Sequence, residues 1–230
     1  MADRRATRWD SHRAQVRTEL VEAAFRAIDQ LGPNVSMQEI AAEAGKPKPT
    51  LYRYFSDRDE LFDAVADRMK DLLTERVVVL PMSNAPTARE LMRLGLTGYA
   101  DLLAAHPNVF RAFLNDMILG TGGGANKVLD NGRLLASEIA SMLDMVGGQI
   151  GVPSANVELS AAAIVGAVGA AADWWLKDGE PKTTVAEFVE QLEVVLSGMI
   201  AATAQAQGVV LDFDVPLNAF IAPLAVNGSE

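Results

Sequence analysis

Four short polar signatures constrain this chain more than anything else in it. "SMQE" at 36–39, "SDRDEL" at 56–61, "TARE" at 87–90 and "TVAE" at 184–187 each set a hydroxyl ahead of an acidic side chain. In that spacing the hydroxyl accepts from an orphan N–H of the first helical turn and the carboxylate reaches back to the cap, so each marks a helix start. In "SDRDEL" the predicted cap is Ser56, with Asp59 at the third helical position. Each signature precedes apolar residues spaced three and four apart, which is the helical period. The first helix shows the same period through Val16, Leu20, Ala23, Ala24, Ala27 and Leu31, and Gly32–Pro33 stops it.

The expected elements are therefore a helix over 12–31, a short second helix ending near Ala44–Gly45, a third from about 47–49, and a fourth running through Leu61, Phe62, Val65, Met69 and Leu72. Further helices are predicted near 87–104, 107–119, 125–147, 156–177 and 184–207. "RVVVLP" at 76–81 reads as the last turn of the fourth helix, ended by Pro81. Residues 208–230 alternate and carry prolines, as an extended tail lying over the core would. The fold class is all-α. A first domain is expected over 1–57 and a larger helical domain over 58–230.

Charge is distributed unevenly. The net charge is −10, yet residues 1–60 carry ten basic and ten acidic side chains and are neutral as a group. Five arginines, Arg4, Arg5, Arg8, Arg13 and Arg17, crowd the first 17 residues. That asymmetry points to an N-terminal third that meets an anion and an acidic remainder that does not. With Cys 0, disulfides, thiolate chemistry and cysteine-ligated metals are excluded. No basic stretch followed by an apolar core opens the chain, so a cytoplasmic protein without a secretory leader is expected. The longest nearly uncharged run, 159–172, falls short of the roughly 20 apolar residues that span a bilayer and reads as a buried helix.

"AGKPKPTLYRYF" at 44–55 is the most informative stretch. Proline is tolerated in a first helical turn, where its missing N–H has no partner anyway, so Pro47 and Pro49 start a helix there. The "SDRDEL" cap leaves that helix about eight residues, or roughly 12 Å long, close to the width of the DNA major groove. Small Ala41, turn-forming Gly45 and apolar Leu51 follow the pattern of a helix-turn-helix, with Val35, Ile40 and Ala44 completing its core. Leu51 and Phe55, four apart, form the expected buried face, although Tyr54 and Phe55 each suit a core or a contact position.

The segment "VSMQEIAAEAGKPKPTLYRYFSDRDELF" at 35–62 resembles the DNA-binding segment of the TetR family of transcriptional regulators, over about residues 10–65. "DWWLKDGEPKTTVAEFVEQL" at 173–192 is more loosely similar to the junction before that family's last helix. Lys46 and Pro47 depart from the family's usual apolar residue and small or polar cap. The resemblance implies that Ser36 and Gln38 meet phosphate or an outer base, and that Lys48, Pro49, Thr50, Tyr52 and Arg53 face the groove. It places Tyr54 near the DNA backbone and Arg58 at a phosphate, with Lys46 beside the turn. Arg and Lys neutralise phosphate or fork onto guanine, and Pro and Thr touch thymine methyls. Arg4, Arg5 and Arg8 suit a basic arm along a groove or phosphates.

In the remaining two-thirds, Ala162, Gly166 and Ala170 form a stripe of small residues with Ala163, Ala167 and Ala171 beside it, so this helix is expected to pack on nearly all sides. The resemblance implies a homodimer built from the last two helices of each subunit, with Ala162, Gly166, Ala170, Leu192, Val195 and Met199 at the interface. Two-fold symmetry then implies a near-palindromic operator. Met92, Leu96, Tyr99, Phe110, Phe113, Met117, Met142, Met145 and Trp174 are candidates to line a site for an apolar or aromatic effector, or to be plain core.

"GTGGGANK" at 120–127 lacks the Gly-Lys-Ser/Thr ending of a phosphate loop. His12 and His106 are the only histidines, too few for a histidine metal site. No catalytic constellation is discernible, so no cofactor, no metal and no enzymatic activity are expected. The reading is a ligand-responsive dimeric repressor whose partners are duplex DNA, a second copy and a small effector. The alternatives are an activator of the same fold or a helical binding protein without DNA regulation.

Overall fold

The computed structural model describes residues 3–112, 130, 132–141, 144, 157–177, 180–206 and 208–216, with 3–10 described in backbone only. The described chain is helical, and its one extended pairing is an isolated bridge between Thr87 and Pro216. The helices are α1 (Asp3–Leu31), α2 (Met37–Glu43), α3 (Lys48–Tyr54), α4 (Arg58–Thr74), α5 (Leu80–Asn84), α6 (Ala88–Ala105), α7 (described over 107–112), α8 (described over 132–141), α9 (Val157–Leu176) and α10 (Val185–Ala206). Between α4 and α5 lies a π-helix, Glu75–Val79.

Two compact units are distinguished: Met1–Asp71 with His106–Asn131, and Leu72–Ala105 with Gly132–Glu230. Residue 57, where the sequence suggests a domain boundary, falls inside the first. Leu20, Ala24 and Ile28 of α1, Ile40 of α2, Leu51 of α3 and Leu61 and Val65 of α4 are fully sequestered and form its core. At the start of α7, His106 Nδ1 lies 2.9 Å from Asp29 Oδ2, and its ring meets Phe25 edge-on at 5.0 Å. The sequence offers no partner for His106; the fold supplies one from α1.

The second unit contains the π-helix, α5, α6, α8, α9 and α10. Gly95 and Gly98 of α6 let the π-helix approach closely. A β-carbon on Gly98 would stand 2.6 Å from the Arg76 carbonyl oxygen, and one on Gly95 would stand 3.0 Å from that of Val77. Arg89 and Arg93 of α6 each reach Glu193 of α10 at 3.0 Å. Trp175 of α9 stacks on Phe188 of α10 at 4.4 Å, and its indole N–H donates to the Thr183 carbonyl.

Several expectations are corrected. Pro81 does not end the fourth helix; the chain stays helical through the π-helix and Pro81 lies in α5, which runs on to Asn84. The cap of α4 is Asp57, which accepts from Glu60 N–H at 2.8 Å, while Ser56 N–H and Oγ both donate to Glu60. Those bonds, ahead of the Arg17 charge, hold the Glu60 carboxyl below its usual range. Within a single subunit, helix α9 packs along only part of its surface. Only Ala161, Ala172, Trp175 and Leu176 are buried, and by length and composition α9 would also reach across a bilayer. The tail over 208–216 returns to α6, where Arg89 N–H donates to the Phe213 carbonyl at 2.9 Å.

Candidate nucleic-acid interface

The site is built from two short helices. Helix α2 starts on the full capping box: Glu39 N–H donates to Ser36 Oγ at 3.3 Å, and Ser36 N–H donates to the Glu39 carboxylate at 2.7 Å. Donation from the Ser36 N–H, and then from the Ser36 hydroxyl at 2.7 Å, keeps the Glu39 carboxyl below its ordinary range. The helix ends at Gly45, whose φ of +60° is the left-handed conformation that glycine adopts without strain. Lys46 N–H donates back to the Ala41 carbonyl, closing the turn.

Pro47 then caps α3 in extended conformation, and Pro49 lies in the first turn. Phe55 ends the helix in extended conformation. Leu51 and Phe55 are buried, as the four-residue spacing predicts, so the core takes one face of α3 and leaves the other to solvent.

That outer face carries Lys48, Pro49, Tyr52 and Arg53, all exposed, with Thr50 and Tyr54 half-buried. The Lys48 ammonium lies 5.8 Å from the Tyr52 ring and the Arg53 guanidinium 5.5 Å from the Tyr54 ring. Each pair holds a cation against an aromatic face while leaving its donors outward. Ser36, Gln38 and Lys46 are exposed beside this face. The arrangement presents donors for phosphate and guanine together with apolar surface for thymine methyls.

Arg58, expected at a phosphate, is half-buried. Its guanidinium lies 3.7 Å from the Phe62 ring centroid and donates to the Pro33 carbonyl at 3.3 Å. Arg17 of α1, one of the five N-terminal arginines, lies 4.7 Å over the Phe55 ring and 3.7 Å from Glu60. Arg4, Arg5 and Arg8 lie on helical backbone that begins at Asp3, and their side chains lie outside the described residues.

Of the effector candidates, Met92, Leu96 and Tyr99 share a face of α6, with Leu96 and Tyr99 buried. Phe110 is half-buried on α7 in the first unit, and Phe113, Met117, Met142 and Met145 lie outside the described residues. Trp174 is 50% exposed beneath the Lys182 ammonium, and its neighbour Trp175 takes the interior position instead. A depression of about 490 Å³ occurs elsewhere, between α1 and the turn after α2, lined by Thr18, Glu22, Arg26 and Lys46 among others.

On α9 and α10, Ala162, Gly166, Ala170 and Val195 are exposed and Met199 is half-buried. Leu192 faces its own subunit, 6% exposed, because α10 is apolar on two sides and this one meets the core. Leu159 and Val194, at 72% and 69%, extend the exposed apolar stripe. Among the described residues no group of three potential metal ligands occurs.

The profile of bacterial regulatory proteins of the tetR family matches residues 20–65, from the latter part of α1 into the first half of α4. An HTH-type transcriptional regulator of Mycobacterium tuberculosis is 31% identical over 207 residues, covering 90% of this chain and 86% of its own. A tetR-family regulator of Streptomyces coelicolor has the same fold, with a TM-score of 0.67, 23% identity and coverage of 90% and 87%. So does the regulator FadR of Bacillus subtilis in complex with stearoyl-CoA, with a TM-score of 0.65, 19% identity and coverage of 78% and 96%.

Proposed function

Because the chain belongs to the TetR family and is a helix-turn-helix transcriptional regulator, we propose that it is a ligand-responsive repressor binding a near-palindromic operator as a homodimer in the cytoplasm. The observation that carries this reading is the division of α3. Leu51 and Phe55 anchor one side in the core, which leaves Lys48, Pro49, Tyr52 and Arg53 together on a short outward rod. Ser36, Gln38 and Lys46 flank it for phosphate, with Thr50 and Tyr54 at its edges. Arg58 acts here by bracing Pro33 and Phe62.

The homodimer is supported by the apolar stripe on α9 and α10. Leu159, Ala162, Gly166 and Ala170 recur on one face of α9 and Val194 and Val195 are exposed on α10, apolar surface that a second copy would cover by the same residues. Trp174 stands at the end of this stripe and joins the interface in place of its expected role at an effector. The effector is read as a small apolar or aromatic molecule held near Met92, Leu96 and Tyr99; FadR, of the same fold, is known in complex with stearoyl-CoA.

The test is footprinting on DNA flanking the protein's own coding region, followed by affinity measured across a salt series. A protected site with two symmetric halves and a steep salt slope is expected. Binding without salt dependence, or none, overturns the reading and leaves a helical binding protein without DNA regulation.

A further inference from the structure

Val79, at the end of the π-helix, and Leu80 and Met82 of α5 are exposed, although Pro81 between them is buried. They lie a few residues ahead of Thr87, where the chain returning from α10 pairs with the start of α6. That pairing has a direction. The bridge between Thr87 and Pro216 is antiparallel, and Arg89 N–H donates to the Phe213 carbonyl at 2.9 Å. As the returning chain advances from 213 to 216, its partner runs backward from 89 to 87, toward the end of α5 at Asn84. Side chains alternate along it: Leu211, Phe213 and Val215 are half-buried, and Asp212, Asp214 and Pro216 are exposed. In the sequence, apolar residues continue at the odd positions as Leu217, Ala219 and Ile221. The stretch that follows the bridge, "LNAFIAPLAV" at 217–226, carries no charge and lies outside the described residues.

We propose that residues 217–226 carry the returning chain on over α5 and cover Val79, Leu80 and Met82, with Leu217, Ala219 and Ile221 turned inward. The lengths agree. From Thr87 back to Asn84 is about 10 Å of extended chain, and from Asn84 to Leu80 about 6 Å of helix. Residues 217–221, extended, cover about 17 Å, which brings Ile221 to the level of Leu80 and Met82. The chemistry agrees as well, since an uncharged apolar stretch and an exposed apolar face leave water together. Pro86 and Pro223 have no N–H to donate, so the hold comes from side-chain burial and not from a longer ladder. The anchor is Arg89, which grips the Asp214 carboxylate two residues before the bridge.

The full chain contains no cysteine, so Ile221→Cys introduces its only thiol. Benzophenone maleimide attached there marks its neighbours on irradiation, and peptide mass spectrometry locates them. The expected main product is a cross-link within one chain to Val79, Leu80 or Met82. A main product elsewhere, no preferred product, or a cross-link joining two chains overturns the proposal. A thermal cycle checks the contact without a label. Met82→Gln and Ile221→Gln are each expected to lower the melting temperature by about 2–4 °C, and the double variant by clearly less than the sum. Additive losses, or an Ile221→Gln variant that melts like the wild type, also overturn it. Neither measurement involves DNA, so the outcome is separate from the regulator reading.

Discussion

Arg89 holds Asp214 in a two-pronged grip: Nε meets Oδ1 at 2.6 Å and Nη2 meets Oδ2 at 3.0 Å, while Nη1 reaches Glu193 of α10. One guanidinium thus ties together the start of α6, the middle of α10 and the segment that follows α10. Planar bidentate geometry suits arginine and would be lost with lysine.

This grip titrates. The hydrogen bonds from Arg89 lower the Asp214 pKa. An acid whose native pKa is depressed contributes stability above its unfolded value of about 3.9, and the contribution disappears as pH falls through the native value. Asp214→Asn is therefore expected to melt below the wild type at pH 7 and to converge with it in strong acid. Because Asp214 is largely exposed, high salt narrows the pH 7 difference. Melting curves at two pH values and two salt concentrations check both statements.

Within the helix-turn-helix, core and contact roles separate cleanly by substitution. Leu51→Ala removes a fully buried side chain and is expected to cost about 2–4 kcal/mol of stability. Lys48→Ala alters an exposed residue and is expected to leave melting unchanged while reducing operator affinity roughly tenfold and the salt slope by about one. Denaturant titration and fluorescence anisotropy distinguish the two.

Gly98→Ala tests the seat of the π-helix. The new methyl would lie 2.6 Å from a backbone carbonyl that cannot swing aside, and a loss of about 1–3 kcal/mol is expected. At Gly166 nothing lies within 4 Å, so alanine meets no obstacle within the subunit. If Gly166→Ala weakens self-association, its backbone is in contact with a second copy.

Val195→Asp puts a charge on the exposed side of α10, at a side chain that is 51% exposed in the single subunit. It is expected to convert a dimer to a monomer by light scattering at micromolar concentration and to weaken operator binding. An unchanged dimer places the interface elsewhere.

Helix identity was legible because caps and apolar periods are local. The boxes at Ser36 and Thr184 form as spaced, the Thr87 hydroxyl caps α6 by accepting from Glu90 N–H, and α9 and α10 span nearly the expected residues. At "SDRD" two candidate caps lie side by side, and only the backbone path decides for Asp57. Leu51 and Phe55 could be assigned inward because α3 has a single apolar face. Leu192 and Val195 could not be told apart, since α10 is apolar on two sides and the sequence does not say which meets its own subunit. The adjacent Trp174 and Trp175 pose the same ambiguity, and the fold buries the second. Arg58 turns toward the Pro33 carbonyl 25 positions away, a partner no local pattern announces.

The π-helix at Glu75–Val79 stores one more residue per turn than the α-helices on either side. Deleting a single residue there lets the wide turn tighten into an ordinary one and keeps the phase of α5 and α6 intact. The same deletion inside α4 would rotate every later side chain by about 100° around the axis. Length variation among related chains should accordingly collect at this turn, where the fold can absorb a lost codon without reorienting a core.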